Sequence, residues 1–465
     1  MRSRAPNTVP LALCLGISLS LVHDPAIARP LGPFPRAMDA MAGDRSPWSP
    51  TRPRTARPAP AGFQLIPVLN CNDSGDGSLR AAAAAAGNFD IIDMRQLTCS
   101  TITLTTGAIV LNPGSVGLQG PLADTLTIHQ SGVDGVLQQP QGDSLFLYNL
   151  SFSGGVATRG GCVYSSGAIY MHDVRMSDCA ATERGGGVYA GLYLYLRRST
   201  IDSCTVGLQP GSYNTHGGGA YVHGTLHMIE STLSRNHAYS DDSSFGGGAF
   251  ATGEVFVILS TIRDNTVGMD GDSVHDYGNV GAIASTGAGY SGVADSTISG
   301  NVASYFIGGL YGEGPMTVFN STIAFNVALQ PDYASGVYAY TDSLALYSTI
   351  ISNNLAGGTE YDLGGYTQAA GSNDLIMTSA ISPPGTLTGD PQLLPLQDNG
   401  GLTWTHAIPS GSIAIDAGNN LPQTAYDQRG APWLRQYGAA PDIGAYERQP
   451  IPDRIFADGF DSGDP

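Results

Sequence analysis

"STIRDN", Ser260 to Asn265, is one copy of a phrase that this chain rebuilds along its middle. The pattern Ser-Thr-(Ile/Leu)-x-x-Asn returns as STIDSC at Ser199, STLSRN at Ser231, STISGN at Ser296, STIAFN at Ser321 and STIISN at Ser348, with weaker versions from Tyr148 and Val174. The eight starts run from 148 to 348, one about every 29 residues, and a repeat of that length marks a solenoid of stacked units. Upstream of most copies lies a glycine run: GGGVY at Gly185, GGGAY at Gly217, GGGAF at Gly246, GGLY at Gly308 and SGVY at Ser335. Its last glycine precedes the phrase serine by 12 residues in each of these, and by 15 in the Gly281 unit.

Glycine and β-branched residues fill the units, which leaves too few helix formers for a helical repeat. Apolar pairs such as Leu194 and Leu196, Leu226 and Met228, Val255 and Val257, Met316 and Val318 alternate as a strand with one buried face does. In the last unit the pair slips by one, to Leu344 and Leu346. Each unit therefore reads as one coil of a parallel β-helix, with coils about 4.8 Å apart. Stacking brings Asn236, Asn265, Asn301, Asn326 and Asn353 into one column, where amides bond from coil to coil. The phrase Ile/Leu plugs the core, and the glycines allow backbone geometry that a side chain would block.

Composition narrows the function. The 465 residues carry a formal net charge of −18, contain no lysine, and place eight of the 21 arginines before residue 58. An acidic body of this kind repels phosphate backbones and anionic lipid, which argues against nucleic acid as a partner and leaves neutral polymers, cations or a basic partner. Arg2 and Arg4, the apolar stretch Val9 to Val22 and the small-residue site Ala26-Ile27-Ala28 read as a secretory signal over residues 1–28. No other run is long enough to span a membrane. Residues 29–62, with six arginines and two aspartates among prolines and alanines, read as a linker.

The stretches between phrase and next glycine run vary from 8 to 16 residues, so insertions collect at one corner. They hold Tyr213, His216, Tyr239, Asp241, Asp242, Phe245, Asp270, Asp272, His275, Asp276, Tyr277, Tyr305, Phe306, Asp332 and Tyr333. Rings interleaved with carboxylates suit the apolar faces and hydroxyls of sugars, or a protein surface. Asp270, Asp272 and Asp276 alternate as Ca²⁺ ligands would; no other cofactor is indicated. A further column, Tyr164, Tyr189, Tyr221, Phe250, Tyr311 and Tyr338, alternates with small aliphatics and is expected to face outward, as a packing ladder or a platform. After the leader five cysteines remain, Cys71, Cys99, Cys162, Cys179 and Cys204, so at least one is unpaired. Cys179 and Cys204 hold the phrase-Asn position of successive coils, either as a staple or as small buried residues, while Cys71 and Cys99 bracket a short alanine helix capped by Ser78 and ended by Gly87.

Cys71 to Gly107 resembles the N-terminal segment of secreted bacterial proteins with a CSLREA-type motif, although Cys71 stands apart from Ser78-Leu79-Arg80 and Ala81 takes the acidic position. The GGG and STIxxN repeats are similar to right-handed β-helix proteins, and Asp390 to Glu447, with DQRG and DIGAYE, resembles the choice-of-anchor Q domain. The resemblance implies a secreted, surface-associated, right-handed parallel β-helix over 63–389, an anchor-like region over 390–448 and a tail over 449–465. It assigns no activity. β-Helices of the pectin-lyase-like superfamily commonly cleave acidic polysaccharides, and Arg263 with Asp264 is the pair here that would mimic a lyase base beside a carboxylate. Gly-His-Gly is absent and Asp241-Asp242 lacks a preceding glycine. Asp416, Asp427, Arg429, Asp442 and Glu447 read as an arginine fixed by carboxylates rather than a catalytic set. The expected function is display of a loop-rich face to glycans or a cell-surface protein. The alternatives are a polysaccharide lyase or hydrolase, and a structural spacer.

Overall fold

The computed structural model describes residues 64–449 except 113, 124, 208–213, 241–242, 269–276 and 341–342. The leader, linker and tail lie outside them, as do the loop candidates Tyr213, Asp241, Asp242, Asp270, Asp272, His275 and Asp276. Three sheets, parallel except where Leu355–Ala356 meets Thr359–Glu360, wind into a solenoid. Ten successive coils give one strand each to the narrowest sheet, while the longest sheet takes 21 strands, mostly two per coil. One coil shows the plan: Val188–Ala190 in the narrow sheet, Tyr193–Arg197 and Thr200–Asp202 in the long sheet, Thr205–Val206 in the third.

The phrase serves two corners. Residues on either side of its three-residue strand adopt a left-handed backbone: Arg198 and Ser203, Glu230 and Arg235, Leu259 and Asp264, all with φ between 46 and 55°. Such non-glycine residues cost about 1 kcal/mol each, and two ladders offset the cost. Along the first, the backbone N–H of Ser199, Ser231, Ser260 and Ser296 donates to the hydroxyl of the next coil's serine at 3.1 to 3.2 Å. Each hydroxyl donates back to the carbonyl two residues before it. Along the second, Asn236, Asn265, Asn301 and Asn326 each donate from Nδ2 to the next asparagine at 2.8 to 2.9 Å. Between the ladders the phrase apolar residues Ile201, Leu233, Ile262, Ile298, Ile323 and Ile351 stack in register, fully buried.

Register corrects three readings. Thr322 pairs with Ile350, so in the last coil Thr349 takes the serine position and Asn354, not Asn353, continues the ladder. The one-residue slip at Leu344 carries through the whole phrase. Val174 pairs with Leu150, so the earliest weak copy begins at Leu150 rather than Tyr148. Ala249 pairs with Ile283, so Gly281 matches Gly247, and Ala282 occupies the last-glycine position. Both ladders end on carboxylates: Asn354 Nδ2 donates to Asp362 at 2.8 Å, and the Thr349 N–H to Asp374 at 3.0 Å.

The last glycine faces the asparagine column. A Cβ on Gly219 would sit 2.8 Å from Asn236 Cγ, and one on Gly336 2.7 Å from Asn354 Nδ2. This packing also decides the cysteines. Val163 pairs with Val188, so Cys162 stands where Gly187 stands in the next coil and faces Cys179 of its own coil. The two form a disulfide, and Cys71 bonds Cys99. Cys204 faces Gly187, where no cysteine stands, and stays free and buried; with Cys179 bonded to Cys162, the pairing of Cys179 with Cys204 is overturned. Burial pushes the Cys204 thiol up to about 12. Replacing Cys162 and Cys179 together by alanine is expected to lower the unfolding free energy by about 3 kcal/mol, the loop-closure value for their 17-residue separation. Cys204→Ala should cost only about 1 kcal/mol. Urea denaturation of the two variants checks both values.

The α-helix Leu79–Ala85 lies at the first coils with Ser78 as N-cap, and buries Leu79, Ala82 and Ala83 in the solenoid core. It ends on Ala86 in extended geometry, while Gly87 donates its N–H to Asp90.

At the other end the chain folds back. Residues from Trp404 to Glu447 lie on the outer face of the long sheet: Trp404 O accepts from Thr261 Oγ1, Gln428 from Thr297, His406 pairs with Ser299, and the Ala445 N–H donates to Thr322. A buried ionic core holds this segment. Arg429 bonds Asp427 and is sandwiched between Trp433 and Tyr446, its guanidinium 3.9 Å from each ring; Arg435 donates to the carbonyls of Asp442 and Gly444.

Candidate binding groove

The phrase's second and fourth positions point outward from the long sheet, on either side of the buried isoleucine column. The second position runs Thr127, Ser151, Arg175, Thr200, Thr232, Thr261 in register, and the fourth runs Ser153, Ser177, Asp202, Ser234, Arg263. These residues floor a groove of about 540 Å³ that ends against Leu402 and Trp404 of the folded-back segment. Five register steps at strand spacing give it a length of about 24 Å. Beyond Thr261 the same columns continue under the C-terminal segment, so that segment sets the groove's end.

The groove's charges are largely paired. Asp202 accepts from Ser234 Oγ at 2.6 Å and from Arg235 Nη2. Arg263 bonds Asp264 at 2.7 Å, and its guanidinium lies 4.3 Å from the Trp404 ring. Its guanidinium is a hydrogen-bond donor with no acceptor site. Trp404 keeps 41% of its surface exposed and Leu402 62%. Hydroxyls, a fixed guanidinium and an open indole face together can hold a chain rich in hydroxyls and apolar CH faces.

The loop face expected from the sequence is built differently. The column Tyr164, Tyr189, Tyr221, Phe250 does stack outside the solenoid, at centroid steps of 5.2, 5.1 and 5.6 Å. It is not an open stripe, for Tyr221 is 2% and Tyr189 9% exposed. Loop rings cover it. His216 stands edge-on to Phe250 at 4.5 Å with Phe245 beside both, Tyr305 tilts against Phe306, and Phe306 and Tyr333 continue edge-to-face onto Tyr338. The half-buried candidates His216, Phe245, Tyr305, Phe306 and Tyr333 are thus packing against a second apolar cluster. Burial lowers His216 to about 4, which keeps its ring neutral there. Tyr239 stacks on His237, while Tyr277 and Asp332 stay exposed. Among the described residues no three His, Cys, Asp or Glu gather to hold a metal ion, and no helix is long and apolar enough to cross a membrane.

Sequence reasoning reached Arg263 and Asp264 but missed the groove around them. Its signal was the Thr/Ser/Arg/Asp content of the phrase's second and fourth positions. Among solved structures the chain is similar to the one titled "Crystal structure of pectate lyase Pel9A", at 15% identity and a TM-score of 0.49, covering 83% of this chain and 96% of that one. No protein-family model matches the chain, and no curated protein does.

Proposed function

We propose that this chain is an exported, surface-associated solenoid that binds an uncharged polysaccharide along the outer face of its long sheet. The carrying observation is the hydroxyl-floored groove closed by the exposed Trp404 ring. Arg175, Arg235 and Arg263 stand against Asp178 and Asp202 in its lining, with Asp264 paired to Arg263, so the groove offers no excess of positive charge. The −18 body repels a polyanion. Two disulfides suit an oxidising compartment, in keeping with the secretory-type leader and the CSLREA-like and choice-of-anchor Q-like segments. Trp404→Ala is expected to weaken binding of hydroxyethyl cellulose or galactomannan at least tenfold, about 1.4 kcal/mol, in affinity gel electrophoresis. Unchanged retardation would defeat the proposal.

A lyase or hydrolase is the second reading, favoured by Arg263 and Asp264 at the groove's end. Arg263 is ion-paired and stacked, so release of new sugar ends from neutral or acidic polysaccharides is expected to be nil, with or without Ca²⁺. Turnover on any of them would replace binding by catalysis.

A further inference from the structure

On the same sheet, across the bend from the groove, runs a second ladder of rings. Phe146, Tyr170, Tyr195, His227 and Phe256 occupy one register position on five successive strands, and Tyr193 fills the space beside them. Centroids step by 4.9 Å from Phe146 to Tyr170, 5.6 Å to Tyr193, 5.3 Å to His227 and 4.6 Å to Phe256. The first pair lies nearly parallel, at 12°. In register Gly117 precedes Phe146 and Gly292 follows Phe256, with the Tyr290 ring 6.3 Å beyond Phe256, and the five aromatic register positions span about 19 Å over four strand spacings.

The contrast with the Tyr164 column is informative. Cross-strand ring pairs stabilise a sheet by about 0.2 to 1 kcal/mol each wherever they occur, yet the Tyr164 column is roofed by loop rings while these six stay half-buried. A contiguous apolar strip left partly open marks a contact surface. Its rim selects the occupant. Asp173 is bonded by Arg198 at 2.8 Å and by His172 at 2.7 Å, Arg197 lies 4.0 Å from Glu230, and Glu254 accepts from Thr225 at 3.1 Å. Arg198 and Arg197 stand against Asp173 and Glu230, and Glu254 meets only a hydroxyl, so the rim carries no excess of positive charge and a polyanion gains nothing there. A ligand with flat apolar faces and many neutral hydroxyls gains both stacking and hydrogen bonds.

We infer that the ladder Phe146–Tyr170–Tyr193–Tyr195–His227–Phe256 is a second site for an uncharged polysaccharide, which lies along the coil axis with its CH groups against the open edges and tilted faces of the rings. This site is independent of the groove. The test is affinity gel electrophoresis of the full chain in native gels containing hydroxyethyl cellulose, galactomannan or polygalacturonate. The double variant Phe146→Leu, Tyr170→Leu keeps apolar cover but removes two flat rings, and its apparent Kd for the neutral polymer is expected to rise at least fivefold. Tyr170→Phe should stay within twofold of the parent. Loss of retardation with Trp404→Ala but not with the leucine pair overturns the ladder site and leaves the groove reading standing; the converse overturns the groove alone. Retardation of the parent by polygalacturonate only, or by none of the gels, overturns both. Should the leucine pair fail to fold, Phe146→Trp replaces it. Its fluorescence is expected to shift to the blue on adding the neutral polymer, and an unchanged spectrum overturns the site.

Discussion

Asn301→Ala is expected to lower the unfolding free energy by about 4 to 5 kcal/mol, the largest effect of any single truncation along the phrase column. Asn301 is fully buried. Its amide donates to Ile262 O at 3.1 Å and Asn326 Oδ1 at 2.8 Å, and its oxygen accepts both the backbone N–H and the Nδ2 of Asn265 at 3.0 and 2.9 Å. Alanine leaves the Asn265 N–H with no acceptor at a corner that water cannot reach, and each such orphan costs about 1 to 3 kcal/mol. The emptied space adds to the loss. Asn301→Asp keeps the acceptor but removes the donor and buries a charge, so it should be no better than alanine at pH 8. Urea unfolding of both variants is the check. A loss below 1 kcal/mol for alanine would mean that the ladder is ornament and that core apolar packing alone sets the coil.

The second large effect is on pH. Burial raises six carboxyls above their ordinary range: Asp295, Asp374 and Glu447 to about 7, Asp362 to about 6, and Glu313 and Asp442 in the same direction. Asp295 and Asp374 each keep one buried oxygen without a hydrogen-bond partner. A folded carboxyl with a raised pKa binds more protons than the unfolded chain, so its contribution is fully present below about pH 4 and is lost as pH rises through 6 to 7. Each such group then opposes folding at pH 8 by up to about 4 kcal/mol. The chain should accordingly melt higher at pH 5.5 than at pH 8. Asp374→Asn should flatten part of that slope and raise the melting temperature at pH 8. Three groups act oppositely at the acid end, one of them Asp93, which the hydrogen bond from Arg95 lowers. Burial raises Asp73 and Asp173, but hydrogen bonds from Arg80 and from Arg198 with His172 outweigh it and hold both well below the usual range. Their contribution persists to lower pH and is lost only in strong acid. A melting temperature that falls steadily from pH 8 to 5.5 would contradict the assignment of Asp295, Asp374 and Glu447.

Much of the scaffold was legible because stacking makes local sequence repeat. The isoleucine column, the asparagine ladder and the glycine ahead of each strand follow from a period that any coil must keep. The serine ladder is not legible in the same way, because a serine at a bend has many partners in sequence and only one in register. Cys162 looked unremarkable because it replaces a glycine, and only the facing of last glycine against phrase asparagine shows why it meets Cys179. The groove escaped for a different reason. Its floor joins the phrase's fixed threonine to the fourth position, which varies, and its end wall comes from Trp404, which bonds Thr261 across 143 residues of sequence. No local pattern encodes that return. The loop rings were misjudged because aromatic residues in insertions look exposed until the column they cover is seen beneath them.

The groove and the loop face can be separated in one measurement: hydrogen–deuterium exchange of the full chain with and without saturating hydroxyethyl cellulose. Binding on the long sheet should slow exchange in peptides covering 175–177, 200–202, 232–234 and 261–263, together with 402–404, and leave 213–216, 239–245, 270–277 and 332–333 unchanged. Protection confined to those insertions, with the phrase strands unaffected, would contradict the groove and return the site to the loop face.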